Sequence, residues 1–97
     1  MNYYIVTFDR QLNVAYKPFH EAFVGHPNIK RWWHYIKSSY LIGTDLSANE
    51  LSDHFTSTAK RLNMKTTHLV VGIDLTKRQG MLPKDAWEWF KKNVSGR

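Results

Sequence analysis

Apolar positions fall along the chain in short blocks whose period switches between two and about 3.6 residues. Residues 3–8, Tyr-Tyr-Ile-Val-Thr-Phe, are β-branched or aromatic and stop at Asp9-Arg10, which predicts a buried strand. Ala15, Phe19, Ala22 and Phe23 then recur at helical spacing between Val14 and Val24, with Asn13 as candidate cap. Pro18 requires that helix to begin close to it, because an interior proline costs about 3 kcal/mol. Gly25-His26-Pro27-Asn28 ends the segment. Residues 31–37 and 40–43 predict two strands joined as a hairpin through the polar break Ser38-Ser39. Ser47-Ala48-Asn49-Glu50 has capping-box form, followed at helical spacing by Leu51, Phe55, Ala59 and Leu62, with Asn63 to close the helix. Residues 68–75 predict a fourth strand and Lys77-Arg78-Gln79-Gly80 a loop. Met81-Leu82 suggests a short fifth strand, and a last helix runs from about Lys84 to Asn93 behind Pro83.

The order β-α-β-β-α-β with a C-terminal strand/helix extension predicts an α+β, ferredoxin-like sandwich, with helices on one face of a four-stranded antiparallel sheet. At 97 residues and 11.5 kDa the chain is one domain, 1–97, with 79–97 as the extension. Zero Cys excludes a disulfide framework, a thiolate zinc site and a cysteine nucleophile. No apolar run approaches the ~20 residues a membrane helix needs. The N-terminus lacks the basic region of a signal peptide, so a cytoplasmic protein is expected.

Charge changes the picture more than composition does. Fourteen Lys+Arg against eight Asp+Glu leave +6, and aromatic residues make up 14%. Cations for phosphates and rings for bases are what single-stranded nucleic-acid binders combine. A basic protein with a well-filled core has the same inventory. In the expected topology the first strand is central, beside the third and fourth. One sheet edge then gathers Asp9, Arg10, Lys37, Ser38, Ser39, Lys60, Arg61, Lys65, Thr66, Thr67 and His68. His68 near Asp9 suits general acid or base work, although a lone strand-end histidine is more often solvated or hydrogen-bonded. Ser38 and Ser39 are more readily turn formers than substrate contacts.

Strand alternation over residues 30–37 sends Arg31, Trp33, Tyr35 and Lys37 to one face. That face offers two rings for base stacking between cations, or else packs on the helices or a second protomer. Trp87 and Trp89, about 200° apart on the last helix, cannot share one core face, which points to a homodimer contact. Phosphate-loop, dinucleotide, Ser-His-Asp and ribonucleoprotein-domain signatures are absent, and no two His have metalloprotease spacing.

The opening Tyr-Ile-Val-x-Phe-Asp, then a strand ending in Lys-Ser-Ser-Tyr-Leu-Ile, resembles the CRISPR-associated small endoribonucleases and the related VapD-type toxins. Leu-Ser-Ala-Asn-Glu-Leu at the second helix fits the same pattern. Gly-Met-Leu-Pro-Lys-Asp-Ala-Trp-Glu-Trp resembles the C-terminal segment of SinR-family relatives. The likeness covers residues 3–75, and 80–92 through those relatives. It implies a homodimer in which Asp9 from each copy binds a divalent metal, Mg2+ suiting a carboxylate. Ser39 and His68, which the expected topology gathers at the same edge, are the candidate catalytic companions. The chain departs from the pattern in having Gln11-Leu12-Asn13-Val14 where an Arg-rich segment usually follows the first Asp, and Ser38-Ser39-Tyr40 at the third strand. The opposing expectation is a non-catalytic protein-interaction or assembly module of the same fold.

Overall fold

A computed structural model describes residues 1–9 and 16–93. Arg10 and the Asn13 cap lie outside the described residues. The elements are β1 (Asn2–Phe8), α1 (Tyr16–Val24), β2 (Ile29–Ile36), β3 (Ser39–Thr44), α2 (Ala48–Arg61), β4 (His68–Gly72) and α3 (Lys84–Asn93). The strands form one antiparallel sheet in the order β2-β3-β1-β4, so β1 is central beside β3 and β4, as the sequence led us to expect.

Alternation in β1 explains its two faces. Tyr4, Val6 and Phe8 are buried toward α1 and α2, while Ile5 and Thr7 are exposed. With Phe19, Phe23, Tyr40, Ile42, Leu51 and Phe55 they make the main core. α1 begins two residues before Pro18, where the missing N–H costs nothing, and Gly25 N–H donates to Glu21 C=O as it ends. α2 is capped at both ends. Glu50 N–H donates to Ser47 Oγ at 3.1 Å, and Ser47 N–H donates to Glu50 Oε1 at 2.8 Å. At the other end Met64 N–H reaches Ala59 C=O and Asn63 N–H reaches Lys60 C=O, with Asn63 at φ 57°. Asparagine tolerates that left-handed turn better than most residues.

The C-terminal segment departs from expectation. β4 ends at Gly72 and residues 81–82 form no strand. Ile73 N–H still donates to Tyr3 C=O, but Asp74 then closes a turn, its Oδ1 accepting from Thr76 N–H and Thr76 Oγ1–H. The chain crosses to the sheet face opposite α1 and α2, and α3 lies there against β2. The result is three layers rather than two. Trp33, Leu41, Leu75 and Phe90 form a second core beneath α3. Trp87 and Trp89 both pack there, with ring centroids 5.7 and 5.5 Å from Phe90. They share one core because each indole reaches in from its own flank of Phe90. Gly43 makes room for this layer, since a Cβ there would sit 2.9 Å from Tyr3 Cε1 and 3.1 Å from Arg31 Cβ.

Candidate functional site

One end of the sheet collects most of the chemistry. Strand direction brings the close of β1 and β2 to the start of β3 and β4, with Thr7 opposite Ser39 and Phe8 opposite His68. The first turn of α1 joins them through Tyr16, whose ring stacks on Phe8 with centroids 6.1 Å apart. Among the cavities that the described residues form at this end, two gather most of these side chains.

The first, about 540 Å³, lies between the end of α2 and the β1–β4 edge; Asp9, Lys60, Lys65, Thr66, Thr67 and His68 line it. Asp9 is held as a strand-end residue. Its N–H donates to Thr67 C=O at 3.1 Å, and its Oδ2 accepts from Thr67 Oγ1–H at 2.8 Å. Thr66 Oγ1–H donates to the Asp9 carbonyl. The His68 ring turns to α2, where Nε2 lies 2.7 Å from Ser52 Oγ and the ring stacks on Phe55 with centroids 4.4 Å apart. Burial pushes its pKa below the ordinary histidine value. Ser39 Oγ is 3.4 Å from Thr7 Oγ1. Asp9, Ser39 and His68 therefore share one end of the sheet, but each bonds to a different neighbour, and no hydrogen bond links the three. A metal fits poorly on one chain. Asp9 is a single carboxylate among lysines, and the described residues contain no group of three His, Asp or Glu donors.

The second cavity, about 490 Å³, is lined by Tyr16, Lys17, His20, His34, Tyr35 and Lys37. Tyr40, fully buried, is bonded to two of these side chains: its hydroxyl is 2.6 Å from Tyr16 Oη and 2.7 Å from His20 Nδ1. Tyr16 Oη is also 3.1 Å from His34 Nε2, and His34 Nδ1 donates to Ser39 C=O at 2.8 Å. Burial lowers the His20 pKa, opposed in part by the neighbouring Glu21 carboxylate. Sequence reasoning did not assemble this group. The available signal was Tyr16 and His20 four residues apart on one helix face, facing a hairpin that carries His34 and Tyr40.

The remaining expected contacts scatter. Trp33 is 6% exposed, and its ring lies edge-on to Phe90 beneath α3, so it is core and offers no face to a base. Arg31 Nη1 donates to Tyr3 Oη at 2.6 Å and to the Asn93 carbonyl, which ties β2 to the end of α3. Tyr35 keeps to the Trp33 face as alternation predicts, its ring edge-on to Trp33 with centroids 5.5 Å apart and beside Trp89 of α3, but it lies beyond the part of that face that α3 covers. Tyr35 is left exposed on the edge strand, at the rim of the second cavity. Lys37 lines that cavity too, while Arg61 is exposed at the end of α2, where its charge acts on His54. Among the described residues no helix is long and apolar enough to cross a membrane. No family model, curated protein or solved structure matches this chain.

Proposed function

We propose that the protein binds nucleic acid across the end of the sheet that carries Asp9, Ser39 and the two cavities. The observation that carries this reading is the placement of cations. Lys60 and Lys65 line one cavity and Lys37 and Lys17 the other, on a chain of net charge +6. Tyr35 supplies an exposed ring beside the second pair. The strand order, with α1 and α2 on one face, supports the ferredoxin-like class. Magnesium-dependent cleavage at Asp9 belongs to this reading through a homodimer that brings a second Asp9 to the first, because one carboxylate is too few.

The second reading is a non-catalytic interaction module. It is favoured by Ile5, Leu69 and Val71, which stand exposed side by side on the part of the sheet that α3 leaves open. Salt separates the two. Binding to single-stranded RNA, followed by anisotropy, should weaken steeply as salt rises, through counterion release. The pair Lys60→Glu and Lys65→Glu should lower the log–log slope by about two. Salt-independent binding, or an unchanged slope in the folded double variant, would overturn the phosphate reading and leave the interaction module.

A further inference from the structure

At the second cavity, four side chains from three elements form one file of hydrogen bonds, and chemistry sets its direction. The Ser39 carbonyl can only accept, so His34 carries its hydrogen on Nδ1. Nε2 of the neutral ring then accepts from the Tyr16 hydroxyl, and the Tyr16 oxygen accepts from Tyr40. The Tyr40 oxygen accepts from His20 Nδ1–H. The last member, His20, keeps an unprotonated Nε2 on a half-buried ring that lines the cavity.

We propose that this file is the acid–base centre of an RNA-cleaving site that uses the substrate's own 2′-hydroxyl as nucleophile. It rests on the nucleic-acid reading above and adds the substrate class and the reaction. Among the described residues the cavity lining contains imidazole, phenol and ammonium groups but no carboxylate, serine or cysteine. The attacking group therefore comes from the substrate, and a ribose 2′-hydroxyl beside a phosphodiester is such a group. Lys17 and Lys37 oppose the charge that builds on the phosphate oxygens. Tyr35 at the rim gives a base a ring to stack on.

The proton balance closes within the file. His20 Nε2 takes the 2′-hydroxyl hydrogen as O2′ bonds to phosphorus. The P–O5′ bond breaks and its electron pair leaves on O5′. His20 Nδ1 passes its hydrogen to Tyr40, Tyr40 passes its own to Tyr16, and Tyr16 turns its hydroxyl hydrogen away from His34 Nε2 and gives it to O5′. One proton has moved from O2′ to O5′, and the products are a 2′,3′-cyclic phosphate and a 5′-hydroxyl. His20 resets by exchanging its Nε2 hydrogen with solvent and regaining one on Nδ1.

The test incubates the full chain with a pool of end-labelled, random-sequence, single-stranded RNA in EDTA, beside the same pool made of DNA. The expected result is RNA fragments with cyclic phosphate ends and intact DNA. His20→Gln and Tyr16→Phe should each slow cleavage about 100-fold or more while circular dichroism and RNA affinity hold. The wild-type rate should rise with pH as His20 loses its proton. The groups facing His20 are Lys17, Glu21 and Tyr16 on α1, Trp32 and His34 on β2, Tyr40 on β3 and Lys37 in the turn. Binding without cleavage in EDTA overturns this proposal alone. So does equal cleavage of DNA, or a wild-type rate in both folded variants. No binding to the RNA pool overturns this proposal and the nucleic-acid reading together.

Discussion

Trp33 has an indole under α3 whose Nε1–H is buried without a hydrogen-bond partner. Its value to the fold is therefore its rings, and its N–H is a liability. Trp33→Ala should cost about 3–5 kcal/mol in chemical denaturation. Trp33→Phe, which keeps ring packing and removes the orphan donor, should cost less than about 1.5 kcal/mol. Three histidines carry a second residue-scale expectation. Burial lowers the pKa of His20, His54 and His68 alike, with His54 also feeling His26 and Arg61 and partly held up by its bond to Phe23 C=O. Folded values below the unfolded one mean that their contribution is complete above about pH 6.5 and is lost as pH falls through the folded values. The urea midpoint should therefore be lower at about pH 5.5 than at about pH 7.5. His54→Gln keeps a donor for the Phe23 carbonyl at 2.8 Å, so it should flatten that dependence without abolishing folding.

At the scale of elements, α2 and α3 are helices of different origin. α2 carries its own instructions: a capping box, a buried stripe of Leu51, Phe55 and Ala59, basic residues in the last turn, and an asparagine closing it. Ser47→Ala removes the side-chain acceptor for Glu50 N–H and should cost about 1 kcal/mol, read as a lower thermal midpoint. α3 has an amphipathic sequence, but its place depends on the loop before it. Leu75 is buried in the same cluster as Phe90, Arg78 Nη1 donates to Leu75 C=O at 2.6 Å, and the Arg78 guanidinium lies 4.7 Å from the Phe90 ring centroid. Capping residues are local and readable. A loop that crosses a sheet is held by contacts between residues far apart in sequence.

At the scale of the molecule, the sheet is covered fully on one face and in part on the other. Deleting residues 79–97 strips α3 from Trp33 and Leu41 and should give an aggregating chain by light scattering. That outcome follows from the chain's own third layer and needs no partner. The homodimer is tested on the full chain, where Ile5, Leu69 and Val71 remain exposed. A change of Val71→Lys, on the edge strand, should shift a dimer to monomer and leave a monomer's mass unchanged.

The chain's own pattern of residues fixes the seven elements of the described residues but for their ends and for a fifth strand at 81–82 that does not form. With them it fixes the central place of β1 and the meeting of Asp9, Lys60, Lys65 and His68 at one edge. These follow from periods of two and 3.6, from capping residues and from chain direction, all of which are local or topological. Tertiary structure alone decided that the extension forms a third layer, that Trp33 is core while Tyr35 is exposed, and that two tyrosines and two histidines join in one file. Trp33 and Tyr35 share one strand face, and only the place where α3 is laid over that face decides which of the two is covered. A hydrogen bond such as His20 to Tyr40 depends on how a helix is set against a hairpin, which packing of the whole core fixes and no spacing within either element specifies.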